Sequence, residues 1–132
     1  MPHPLKIFII DDDEHFQFSF QRQLHFMDKK LTLQPFNDGE HPLQLLEQNQ
    51  DSVQFLPDII FLDINMPIVD GWDFLTAFEK FQTLLPKPVK IFILSSSMDD
   101  ADVLRSKNHK TLSGYLVKPI PDETLSSILT QI

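Results

Sequence analysis

Short apolar runs alternate along this chain with stretches of helical period. Leu5–Ile10 is a near-continuous apolar run of β-branched and aromatic residues, and Ile59–Leu62 and Val89–Leu94 read the same way. Such runs predict strands buried on both faces. Leu31–Phe36 alternates and predicts a less buried strand, while Gly114–Val117 is short and closed by the breaker pair Lys118-Pro119. Between them, Phe16, Phe20, Leu24 and Met27 mark one helix face, favoured over the strand-like alternation of Phe16, Phe18 and Phe20 because it lasts about three turns. Leu43 and Leu46 suggest a helix with Pro42 in its first turn. Phe74, Phe78, Phe81 and Leu85 predict another, and Leu125, Ile128, Leu129 and Ile132 a last one capped by Asp122. Ala101 and Leu104 hint at a short helix within Met98–Lys110. Strand and helix in regular alternation predict an α/β fold, a parallel sheet with helices on both faces.

In such sheets ligands sit outside the carboxyl ends of the strands, so the residues that end the strands matter most. They are Asp11-Asp12-Asp13, Asp63, Ser95-Ser96-Ser97 and Lys118. Each alone has an ordinary structural explanation: a helix cap, a turn, a loop, a solvated lysine. Brought to one edge they form a cluster. Carboxylates packed together repel unless a cation sits among them. An all-oxygen donor set that leaves places for water suits Mg²⁺. Lys118 adds a fixed positive charge and Ser95 a hydroxyl for a phosphate oxygen, leaving Asp63, alone at its strand end, as the candidate nucleophile.

Composition narrows the field. The 132 residues fit one domain, and an apolar content of 42% is enough for a core without staples. Twelve Phe against one Tyr and one Trp point to a tightly packed interior. The absence of Cys excludes disulfides, zinc–thiolate sites and a thiol nucleophile. A formal charge of −8 opposes direct nucleic-acid binding. No apolar run is long enough to span a membrane, and Met1–Lys6 lacks a signal-peptide layout, so the expected location is cytoplasmic.

Four segments together resemble the receiver domain of two-component response regulators: Ile9-Ile10-Asp11-Asp12-Asp13, the stretch Ile59–Gly71 containing Asp63, Met66-Pro67 and Asp70-Gly71, then Ile93-Leu94-Ser95-Ser96, and Gly114-Tyr115-Leu116-Val117-Lys118-Pro119. The resemblance covers essentially the whole chain. It implies a flavodoxin-like doubly wound sheet of five parallel strands in the order 2-1-3-4-5, with residues 1–132 forming a single receiver domain and no effector domain. It implies that Asp63 accepts a phosphoryl group from a histidine kinase or histidine phosphotransfer protein, in a Mg²⁺-dependent reaction. Asp12 would bind the metal directly, Asp11 largely through water, with Asp63 and the backbone carbonyl of Asn65 completing the protein's share. Asp13 is left outside that set. Ser95 stands where the family has Thr or Ser, Lys118 is its lysine, and Tyr115 falls on its switch aromatic. The Lys118-Pro119 bond would be cis, and Gly71 would serve the turn after the phosphorylation loop. The output would be a conformational switch controlling a separate, unidentified partner protein.

Two other readings compete. Asp11 and Asp13 mimic the Asp-x-Asp motif of haloacid-dehalogenase-like phosphatases, but few residues follow Lys118 to supply that family's further acids. A degenerate receiver acting as a phosphorylation-independent binding module conflicts with the intact cluster. The expectation is therefore a phosphoacceptor switch with slow autophosphatase activity rather than an enzyme.

Overall fold

The computed structural model describes residues 5–131. Residues 1–4 and Ile132, the last apolar position of the predicted final helix, lie outside the described residues. Five strands form one parallel sheet: β1 (Lys6–Ile10), β2 (Thr32–Phe36), β3 (Ile59–Asp63), β4 (Lys90–Ser95) and β5 (Leu112–Val117). Their order is β2-β1-β3-β4-β5, the flavodoxin-like order expected. Five helices alternate with them: α1 (Glu14–Met27), α2 (Glu40–Gln48), α3 (Gly71–Glu79), α4 (Asp100–Ser106) and α5 (Asp122–Thr130).

The apolar runs are explained by two cores. Successive side chains of a strand point to opposite faces. Ile7, Ile9, Ile59 and Phe61 therefore meet Phe20 and Leu24 of α1 and Leu125 and Ile128 of α5 on one face. Phe8, Ile10, Ile60 and Leu62 meet Leu46 of α2 and Phe74, Leu75 and Phe78 of α3 on the other. β3 is the central strand, paired on both sides and buried along its whole length, and Asp63 is its last residue. β2 is an edge strand and half exposed, which is why its sequence alternates and tolerates Pro35.

Two elements, α3 and the start of α5, differ from the sequence pattern, while α4 is the short helix expected. α3 stops at Glu79 and gives way to a 3₁₀ turn at Gln82–Leu84, rather than running to Leu85. Phe78 and Phe81 keep a three-residue step either way, and both remain buried. α4 is only seven residues long and buries none of them. Asp122 is the first residue of α5 and not its cap, a position held by Pro121. The Asp122 carboxylate accepts instead from Gln23 Nε2 at 2.7 Å, tying α5 to α1. Among the described residues no helix is long and apolar enough to cross a membrane.

Candidate functional site

The strand ends converge. Asp11 follows β1, Asp63 ends β3, Ser95 ends β4 and Lys118 follows β5, all at the carboxyl edge. Asp11, Asp63 and Ser95 are 0%, 5% and 1% exposed, whereas Asp12 faces solvent. Carboxylate oxygens of Asp11, Asp12 and Asp63 all lie within 4.8 Å of one another. Lys118 Nζ is 2.6 Å from Asp11 Oδ2 and 3.9 Å from Asp63 Oδ2. The Asp11 contact is a close, buried ion pair that engages Oδ2.

Each group is held by local structure. Asp11 Oδ1 accepts the backbone N–H of Asp13 at 2.9 Å. Asp13 turns away and caps α1, accepting from the N–H groups of His15 and Phe16. Asp63 Oδ1 accepts the Asn65 N–H at 3.0 Å. Ser95 Oγ donates to the Ser97 carbonyl at 2.7 Å, and the Tyr115 hydroxyl donates to the same carbonyl at 3.2 Å. The Lys118-Pro119 bond is cis, and Lys118 N–H donates to Ser95 O at 2.7 Å, binding the β4 and β5 ends together.

The electrostatics follow from this packing. Burial raises the Asp63 pKa from 3.8 to about 6, and the Asp11 and Asp12 carboxylates push the same way. The Asn65 N–H and the Lys118 ammonium oppose the rise. The charged cluster is thus under-compensated by one lysine. Three carboxylates gathered within 4.8 Å against a single lysine fit a hard divalent cation with several waters.

Several residues around the site carry roles that the sequence pattern did not reveal. Gly71 is not in a left-handed turn. A Cβ there would lie 2.7 Å from Ile64 Cα and 2.8 Å from Asp63 O, so glycine is required by the close approach of α3 to the loop behind Asp63. The left-handed residue is Ile68, with φ 69°, spanned by a Val69 N–H to Pro67 O bond of 2.8 Å. That is a tight, strained γ-turn on a β-branched residue. Gln17 Nε2 lies 2.8, 3.1 and 3.0 Å from the carbonyls of Ile9, Asp11 and Phe36, fastening the ends of β1 and β2 to α1. Its signal was a polar residue on the stripe it shares with Phe20 and Leu24. Phe16 sits under the lysine, its ring centroid 4.3 Å from Lys118 Nζ.

The sequence matches the family model of the response regulator receiver domain over residues 7–130. The chain belongs to this family. Receiver domains bind Mg²⁺ at an acidic pocket and serve as signalling switches between a histidine kinase and a downstream effector. The chain is 26% identical to the probable methanogenesis regulatory protein FilR2 of Methanothrix harundinacea, covering 98% of this chain and 81% of that one. It is 30% identical to the oxygen regulatory protein NreC of Staphylococcus carnosus, over 97% of this chain but only 54% of that one. Among solved structures, a two-component response regulator from Cytophaga hutchinsonii superposes with a TM-score of 0.86 at 24% identity, over 98% of this chain and 97% of that one, a likeness of fold.

Proposed function

We propose that this receiver domain takes a phosphoryl group onto Asp63 from a phosphohistidine of a histidine kinase or phosphotransfer protein, and thereby switches its affinity for a downstream partner. The observation that carries the reading is the buried Asp63 at the end of the central strand, facing Asp11, Asp12 and Lys118. In the reaction an Asp63 oxygen forms the new bond to phosphorus, and the phosphorus–nitrogen bond of the donor breaks with its electron pair passing to the imidazole. Asp11, Asp12, Asp63 and the Asn65 carbonyl are the residues that would hold Mg²⁺. The bound ion would supply charge neutralisation for the carboxylates and the incoming phosphate. Lys118 balances charge from the other side, with Phe16 fixing its ammonium. Asn65 and Ser97 flank the approach to Asp63 and tune the slow autophosphatase reset. A kinase or phosphotransfer donor of this kind acts in the cytoplasm, and we infer that location for this protein.

Switching falls to Ser95 and Tyr115. Ser95 spends its proton on the Ser97 carbonyl. A phosphoryl oxygen on Asp63 offers that hydroxyl a charged acceptor, and leaving Ser97 removes one of the two donors that the carbonyl shares with Tyr115. Moving a population from about 1:99 to 99:1 requires roughly 5.5 kcal/mol. Two or three charge-assisted hydrogen bonds at ~1.5–3 kcal/mol each reach that figure.

The test is incubation with a small acyl-phosphate donor and Mg²⁺, followed by mass mapping. A gain of one phosphoryl group on Asp63, lost in Asp63→Asn and on chelation, is expected. Labelling of Asp63→Asn at the normal rate on another residue would refute the assignment. Lys118→Ala should retain some labelling but lose the accompanying conformational response.

A further inference from the structure

The opposite edge of the sheet carries shielded positive charge that the described residues do not balance. Just before β3, Asp58 commits both carboxylate oxygens. Oδ2 accepts the backbone N–H of Lys6 at 2.9 Å, and Oδ1 binds Lys87 Nζ at 2.9 Å. The Lys87 and Asp58 side chains are only 15% and 12% exposed. The Lys6 ammonium shares this neighbourhood, yet among the described residues it has no carboxylate within 4.0 Å. Its contact is the Phe55 ring, 4.4 Å away at the centroid. Residues 1–4, Met-Pro-His-Pro, contain no acidic side chain that could pair with it. Burial and the nearby Lys87 charge lower the Lys6 pKa, and Asp58 only partly offsets them.

Both lysines and Asp58 line one cavity of about 480 Å³, with Thr32 and Gln54 at its exposed side. That volume lies within the roughly 300–1,000 Å³ of small-molecule sites. Charge withdrawn from water is normally met by counter-charge, and here two ammonium groups share a single carboxylate, leaving one positive charge in excess. A cation–π contact attracts an ammonium without neutralising it. Lys87 is moreover set between Pro86 and Pro88, which restrict its backbone in advance of any ligand.

We propose that this cavity binds a small phosphate-bearing anion between the Lys6 and Lys87 ammonium groups, separately from the Asp63 cluster. With Asp58 offsetting one of the two ammonium charges, the remaining single positive charge matches a singly charged phosphate group, whose other oxygens can accept from the Thr32 hydroxyl and the Gln54 amide. The site sits at the amino ends of β1 and β3, whereas the acidic cluster sits at their carboxyl ends. The two are therefore distinguishable residue by residue.

The experiment is an amide chemical-shift titration of the whole chain with inorganic phosphate, without Mg²⁺ and at constant ionic strength. Saturating shifts are expected at Lys6, Thr32, Gln54, Asp58 and Lys87. Lys6→Gln and Lys87→Gln should each weaken the apparent affinity about tenfold, the loss of one charge-assisted contact. The same spectra report whether each variant is folded, so one folded variant suffices. Shifts that do not saturate, shifts confined to Asp12, Asn65 and Ser96, or an affinity unchanged in a folded variant would overturn the proposal.

Discussion

Neutralising Asp63 should stabilise the metal-free protein. Its pKa rises from 3.8 to about 6 on folding, chiefly through burial. At about 1.36 kcal/mol per pH unit this rise represents roughly 3 kcal/mol by which the fold disfavours the ionised carboxylate. The sign follows from proton linkage. Below about pH 4 the group is protonated in both states and costs nothing. Between about 4 and 6 the folded state holds a proton that the unfolded chain has lost, so stability falls as pH rises. Above about 6 the full penalty is present and constant. Asp63→Asn keeps the oxygen that accepts from the Asn65 N–H but loses the attraction to Lys118. We therefore expect a gain of about 2 kcal/mol at pH 7, or about 6–10 °C in Tm for a domain of this size. The assay is denaturant unfolding of both proteins from pH 4 to 8 with a chelator present. The two curves should meet at the acid end and separate by pH 6. Parallel curves, or a variant less stable than the parent at pH 7, would refute the account of the cluster as an under-compensated set of charges. Added Mg²⁺ should stabilise the parent more than the variant.

Other substitutions probe the supports of the site. Gly71→Ala forces a Cβ against backbone atoms of Asp63 and Ile64 and should cost about 1–3 kcal/mol, measured by chemical denaturation, with slower labelling because the Asp63 loop must shift. Ile68→Gly removes a strained left-handed conformation at a side chain that is 93% exposed and packs against little, so a gain of about 1 kcal/mol is expected in the same assay. Phe16→Leu withdraws the ring beneath Lys118. The loss of about 1 kcal/mol of cation–π attraction should slow phosphoryl labelling about fivefold, with circular dichroism unchanged.

The sheet was legible because its inner strands are buried on both faces. Ile7–Ile10 and Ile59–Leu62 must be apolar throughout, and nothing in a helix imposes that pattern on four successive residues. The candidate site was legible for a related reason: polar residues at the ends of such strands stand out. What stayed hidden depends on contacts between distant segments. Nothing local shows that Glu79 will accept from Thr111 and pair with His109, closing the end of α3 against the β5 approach. Trp72 is stacked on His109 and lies under Arg105, a single side-chain contact between α3 and α4 that α4's own sequence does not announce. Gly71 reads as a turn glycine, yet what requires it is the backbone of Ile64 and Asp63 across the loop. Ile68 gives no signal at all, since β-branched residues avoid the conformation it adopts.

These features divide the molecule into a rigid part and a compliant part. β3 is paired along both edges and wholly buried, so Asp63 cannot move far without breaking two ladders. A change of charge at Asp63 must therefore be answered by groups that reach it from less constrained segments. Those are Lys118, beyond edge strand β5, and the Ser95–Ser97 turn that leads into α4. α4 contributes no buried residue, so displacing it exposes little apolar surface. The Ser97 carbonyl, accepting from Ser95 at the site and from Tyr115 on β5, is where a response at the first would be felt at the second.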